Sequence, residues 1–216
     1  MVKTKSPIVV VNFKNHLDGM EVLRLAKKIE RAYENAIVCV PAVYLREISS
    51  NTKLKVYAQH INDKDSGSTT GYLTAQSVSA VGARGTLLNH SEHKVPYSVL
   101  HNLIKRCDEE GLESIVCIES PSEVRRISRW HYKPYAIAYE DPILIGSGKS
   151  VTTYNTRGMI KFVEVMEKYG HGIIPLCGAG ISKWRDVEES MTLGCDGVLV
   201  ASAITKAKRP EKFFGK

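Results

Sequence analysis

Three polar residues, each closing an apolar run, are the ones in this chain best placed to move protons. In Ala138 to Ser150, reading AYEDPILIGSGKS, Glu140 ends the run Tyr135 to Tyr139 and is followed by Pro142 and Gly146-Ser147-Gly148. A carboxylate at a strand's end suits general-base work when water is later excluded, and a proline with glycines supplies a stiff base and a movable tip for such a lid. A solvated acidic loop is the competing reading, because Glu-Asp-Pro is also common turn chemistry. His90 follows Thr86 to Leu88 and precedes Ser91-Glu92; Lys14 closes Asn12-Phe13-Lys14. Alone, one reads as a core histidine and the other as a surface lysine. Converging, they give an imidazole, a cation and a carboxylate base around a phosphate-bearing substrate.

Two other stretches suit the phosphate. Gly178-Ala179-Gly180 follows Ile173 to Cys177 and precedes a helix, while Ala201-Ser202-Ala203 follows Gly197 to Val200. Small side chains leave backbone N–H groups open to an anion, and a helix N-terminus adds partial positive charge. Ordinary tight turns are the alternative there. His16, His60, His93, His101, His131 and His171 share no metal-ligand spacing and read as surface or structural.

What must position these residues is a βα alternation along the whole chain. Strands are expected at Ile8 to Val11, Ile37 to Val40, Lys55 to Gln59, Thr86 to Leu88, Ser114 to Ile118, Tyr135 to Tyr139, Ile173 to Cys177 and Gly197 to Val200. They are nearly continuously apolar, as parallel strands buried on both faces are. Helical spacing recurs in Val22, Leu25, Ala26, Ile29 and Tyr33, in Leu100, Leu103, Ile104 and Cys107, and in Met159, Phe162, Val163 and Met166. Trp184, Val187 and Met191 suggest a further helix opened by Ser182, and weaker patterns lie at Val43 to Ile48 and Thr74 to Val81. Such an α/β pattern closes most economically into a (β/α)8 barrel, with an open doubly wound sheet as the alternative; Pro175 is expected near a bulge or strand end.

The 216 residues are 43% hydrophobic and 25% charged, an ordinary globular composition, and the short apolar runs fit neither a membrane span nor a signal peptide. A cytoplasmic protein is expected, without membrane partners. Five cysteines lack CxxC spacing and read as buried, reduced thiols. A net charge of +7 favours anionic partners, but the basic residues are scattered among acidic ones, which points to a small anion and not to nucleic acid.

Taken together, NFK at Asn12 to Lys14, HSE at His90 to Glu92, AYE at Ala138 to Glu140, IGSGK at Ile145 to Lys149, CGAG at Cys177 to Gly180 and VASA at Val200 to Ala203 resemble the triosephosphate isomerase family. The likeness is to its short archaeal form and covers essentially the full length. It implies a TIM barrel of one domain over residues 1–216, without metal or organic cofactor, that interconverts dihydroxyacetone phosphate and glyceraldehyde 3-phosphate through an enediolate. By that resemblance Glu140 is the base, His90 a neutral electrophile whose pKa a helix N-terminus depresses, and Lys14 the compensating cation; this pairing is the family's known instance of pKa tuning. Asn12 gives a nearby polar contact and Glu92 pairs with Lys14. Phosphate contacts are implied at Ile145 and Gly146 on a closed lid, at Ala179 and Gly180, and at Ala201 and Ser202. Thr70, within Gly67 to Gly71, matches the family's protruding third loop, which docks beside a second subunit's site, so a homodimer or homotetramer is implied.

Some positions depart from the family's commonest pattern. Asp141 stands between Glu140 and Pro142, Leu144 where many members have tryptophan, Leu176 where many have a lid-latching tyrosine, and Ala179 where many have serine. Tyr72 and His93 replace a glutamate and arginine that commonly pair between subunits. The competing functions are another phosphate-binding barrel, a sugar-phosphate isomerase or a lyase, and a catalytically silent basic protein.

Overall fold

The computed structural model describes residues 6–141, 144 and 156–215. Eight strands close into a barrel in chain order: β1 (Ile8–Asn12), β2 (Ile37–Val40), β3 (Lys55–Ala58), β4 (Gly85–Leu88), β5 (Glu113–Ile118), β6 (Ala136–Tyr139), β7 (Ile174–Cys177) and β8 (Gly197–Val200). Every ladder is parallel, and β8 pairs with β1 from Ile8↔Gly197 to Val11↔Val200. Around them, among the described residues, lie α1 (Met20–Ala32), α2 (Leu45–Asn51), α3 (Ala75–Ala80), α4 (Tyr97–Glu109), α5 (Ser122–Ile127), α6 (Thr156–Tyr169), α7 (Trp184–Thr192) and α8 (Ser202–Thr205). Short 3₁₀ turns occupy Ala42–Tyr44 and Pro210–Phe214.

Alternation within each strand divides the core in two. Val10, Ile37, Cys39, Tyr57, Leu87, Ile115, Cys117, Ala138, Leu176 and Leu199 fill the barrel. Their neighbours, among them Val9, Val11, Val38, Val56, Ile137 and Val198, pack outward under the helices. Successive strand side chains point to opposite faces, so a strand serving both cores is apolar at every position, which explains the unbroken runs. Space inside is shared unequally: Tyr57 lies over Gly85, where a Cβ would sit 2.8 Å from its ring.

The expected strands match within about a residue at either end. Pro175 is the second residue of β7, and its carbonyl accepts from Asp196 N–H at 2.9 Å. Its missing N–H faces the same neighbour, but the β7–β8 ladder begins only at Leu176↔Gly197, so no ladder bond is lost. The helix after β7 begins at Trp184, not Ser182. Asp186 Oδ2 caps it, accepting from the Ser182 N–H and hydroxyl, both at 2.8 Å, and from Lys183 N–H at 3.0 Å. The six-residue α5 went unread because it buries only Val124 and Ile127.

Candidate active site

The barrel's interior alternation dictates the site. Continuing the inward positions to and past the strand ends reaches Asn12, the last residue of β1, after Val10, Gln59 after Tyr57, Glu140 after Ala138, Gly178 after Leu176 and Ala201 after Leu199. These form the top layer of the barrel. After β4 the alternation is broken on purpose: Asn89 takes a left-handed φ of 57° and is held by Nδ2 donating to Cys117 O at 2.9 Å and Oδ1 accepting from Val95 N–H at 3.1 Å. His90 is thereby turned into the same mouth.

Glu140 is only 2% exposed. Its Oε2 accepts from Ser91 N–H at 3.0 Å, and its Oε1 lies 3.1 Å from His90 Nε2. Among the described residues no lysine or arginine lies within ion-pair distance of it. Burial therefore wins and pushes its pKa up to about 7, against the opposing pull of Ser91 N–H, distant Lys94, the Cys117 thiol and Lys14. Gly178 leaves room for this placement, since a Cβ there would stand 2.9 Å from Glu140 Cγ.

His90 Nδ1 accepts from Glu92 N–H at 3.1 Å, so in the neutral ring the proton is on Nε2 and points at Glu140. Burial first, then Lys14, lowers its pKa to about 4, so the ring is uncharged at neutral pH. The helix N-terminus that the family resemblance implied beside His90 is not the agent: residues 91–93 form a turn, and α4 starts only at Tyr97.

Lys14 has a left-handed φ of 48°, a conformation costing a side-chain-bearing residue ~1 kcal/mol. Its N–H donates to Asn12 Oδ1 at 2.9 Å, and its carbonyl accepts from Gln59 Nε2 at 3.0 Å. The ammonium meets Glu92 Oε1 at 2.6 Å. Burial works to raise the Glu92 pKa, but the Lys14 ammonium, with His90 and His16, outweighs burial and lowers it.

The opposite wall is backbone. Ala179, Gly180, Ala201 and Ser202 line one cavity of about 330 Å³ together with Asn12, Lys14, His90 and Glu140. Gly180 has φ 71°, and among the described residues no backbone carbonyl engages the N–H groups of Gly180, Ser202 or Ala203. The helix that follows Gly180 begins only at Trp184, four residues on, so this part of the cradle is loop. Ile145 and Gly146 lie outside the described residues, as do Pro142 and Gly148.

A second cavity, of about 370 Å³, adjoins the first across Lys14, His90 and Glu92 and is bordered by Pro41, Gln59, His60 and His93. Several residues seen at the site were read otherwise from the sequence or not singled out: His16, read as surface or structural, and Lys206, not singled out, line the first cavity, Cys117, read as a buried thiol, bonds Glu140 from below, and His60 stacks on His93 at 3.9 Å beside the second. Strand-end position was the available signal for Gln59 and His60; a buried thiol gave none. Among the described residues no three His, Cys, Asp or Glu side chains gather as a metal ion would need. Thr70 is exposed on a loop closed by Asn62 N–H to Leu73 O at 2.8 Å.

The family model for triosephosphate isomerase matches residues 7–215. A triosephosphate isomerase of Sulfurisphaera tokodaii is 36% identical over 96% of this chain and 92% of its own length. One from Methanocaldococcus jannaschii is 35% identical over 95% of each. The crystal structure of triosephosphate isomerase from Bartonella henselae superposes with a TM-score of 0.69 at 21% identity, covering 90% of this chain and 92% of that one, a likeness of fold.

Proposed function

This chain belongs to the triosephosphate isomerase family, and from that premise we propose that it interconverts dihydroxyacetone phosphate and glyceraldehyde 3-phosphate with Glu140 as base, His90 as electrophile and Lys14 as compensating cation. The observation that carries the assignment of roles is the pairing of Glu140 with the Nε2–H of a neutral His90 inside a cavity lined on its other side by Ala179, Gly180, Ala201 and Ser202. In the free chain both Glu140 oxygens are engaged. Substrate replaces Glu140 as the acceptor for His90, and the carboxylate is released to the carbon beside the carbonyl.

Glu140 takes the proton from that carbon, the C–H electron pair becomes the carbon–carbon double bond, and the carbonyl oxygen gains negative charge. His90 donates a hydrogen bond to that oxygen and Lys14 offsets its charge, both in place before the charge develops. Glu140 then returns the proton to the neighbouring carbon while the hydroxyl on the first carbon gives up its proton and the former carbonyl oxygen takes one, a transfer made through His90 Nε2, so that the carbon–carbon double bond gives way to the new carbonyl. The raised pKa of Glu140 matches this two-way duty, since a base near the working pH both accepts and releases a proton readily. Asn12 and Glu92 hold Lys14; Ala179, Gly180, Ala201 and Ser202 bind phosphate through backbone N–H groups, joined by Ile145 and Gly146.

The chain self-associates, in this reading, through the Thr70 loop; exposed Val43 and Tyr72 support an apolar contact surface. Among the described residues no helix is long and apolar enough to cross a membrane, and we place the protein in the cytoplasm. A coupled assay in both directions tests the activity: reversible turnover of the two triose phosphates is expected, and turnover of neither sinks it.

A further inference from the structure

Four charged side chains among the described residues line the 330 Å³ cavity beside the imidazoles: Lys14, Glu92, Glu140 and Lys206. Lys14 is matched by Glu92 at 2.6 Å, and Glu140 adds a second carboxylate when ionised. Without Lys206 the cavity sets one cation against two carboxylates, a poor reception for a phosphate monoester carrying close to two negative charges at neutral pH. Backbone N–H groups can orient such an anion, but they bring no net charge.

Lys206 is exposed, and no carboxylate among the described residues pairs with it. It caps α8, its N–H bonded to Ser202 O at 3.1 Å, so the two residues lie one turn apart on one face of the chain. Next to it, His16 Nδ1 lies 2.8 Å from Thr205 Oγ1, whose own proton goes to Ala201 O at 3.1 Å. The hydroxyl is therefore an acceptor for His16, which carries its proton on Nδ1 and turns Nε2 away. Burial, then the fields of Lys206 and Lys14, lower the pKa of His16, with Glu92 opposing; the ring stays neutral between two cations. Thr205 and His16 thus tie the strand-eight turn, and Lys206 with it, to the loop after β1.

We propose that Lys206 is a substrate-binding residue whose ammonium pairs with the phosphate of the triose phosphate at the β8 side of the cavity. The contact supplements the backbone cradle with the one cation of the described lining that no carboxylate offsets. It rests on the reading of Ala201 and Ser202 as the phosphate end of the site.

The test compares wild type, Lys206→Met and Lys206→Arg with glyceraldehyde 3-phosphate, with phosphate-free glyceraldehyde, and with inorganic phosphate as inhibitor, at low and high ionic strength. Thermal melts confirm that each variant folds, as an exposed position allows. For Lys206→Met, KM for the phosphorylated substrate and the inhibition constant for phosphate should each rise about tenfold at low salt, the size of one charge-assisted contact, with kcat within about threefold. The rise should shrink at high salt, and Lys206→Arg should recover most of it. The ratio of kcat/KM for phosphorylated over phosphate-free substrate should fall about tenfold as well. Unchanged KM and phosphate inhibition, or equal losses on both substrates, would overturn the proposal. Failure of the isomerase reading is separate: it shows as wild type without triose phosphate turnover, while phosphate affinity of the three proteins, measured by calorimetry, still decides the role of Lys206.

Discussion

The barrel carries a glutamate in its interior at each end, and the two are set up in opposite ways. At the bottom, Glu113 begins β5 one inward position below Ile115; Lys55 Nζ stands 2.9 and 3.0 Å from its two oxygens, and Tyr57 donates its hydroxyl to it. Its side chain keeps 31% exposure. At the top, Glu140 is buried, among the described residues without a lysine or arginine at bonding distance, and faces the N–H of a neutral imidazole. An ion pair with water access satisfies a carboxylate and leaves it inert; burial against neutral donors leaves it ready to take a proton. The same residue type is thus satisfied by an ion pair at one end of the barrel and buried against neutral donors at the other.

The sharpest way to break this contrast is to neutralise each glutamate in turn. Glu140→Gln should lower kcat by at least about a thousandfold in the coupled assay, because the group that carries the proton is gone; near-wild-type turnover would dismiss Glu140 as the base. His90→Gln should lower kcat about a hundredfold with little change in KM, since its bond to oxygen strengthens as negative charge develops. The acid limb of kcat/KM should follow the free-chain pKa of Glu140 near 7, falling about tenfold per pH unit below it. A limb centred near 4.5 would show that burial does not perturb this carboxylate.

Stability should move the other way. The pKa of Glu140 is raised in the fold, so as pH climbs from about 4.5 to 7 the unfolded chain loses this proton first, and stability falls by about 3 kcal/mol, staying lower above pH 7. Glu140→Gln should therefore raise stability by about 1 to 3 kcal/mol at pH 8 and by little at pH 4, as denaturant melts at both pH values will report. Glu113→Gln should do the reverse on a smaller scale, with a loss of about 1 kcal/mol and kcat within about twofold of wild type. A large kcat defect in that variant would erase the distinction between the two ends.

How much of this was legible in the sequence follows from where side chains act and where backbone does. Strands were readable because each serves two cores and is apolar throughout. Glu140, His90 and Lys14 stood out because a charged or aromatic polar group at the end of such a run is conspicuous, and the fold gathers the three at one mouth. Less could be seen of what holds them. The left-handed turns at Lys14 and Asn89 break no sequence rule, and the Gln59 contacts to Asn12, Lys14 and Cys39 join three strand ends distant in the chain. The neutrality of His90 was expected from a helix end, yet it comes from burial and Lys14, a tertiary effect. Lys206 has no local mark at all; only closure of β8 onto β1 brings it to the mouth.

The cysteines give the molecule a built-in clock. Cys39 and Cys117 lie inside the barrel, Cys107, Cys177 and Cys195 in the shell beneath the helices, and none is more than 3% exposed. Burial holds every one of these thiols protonated far above neutral pH. A thiol-reactive dye therefore reads conformational opening and not intrinsic reactivity. Mass-resolved labelling of the shell cysteines against the interior pair will separate lifting of the helices from rupture of the barrel, residue by residue, without introducing a probe.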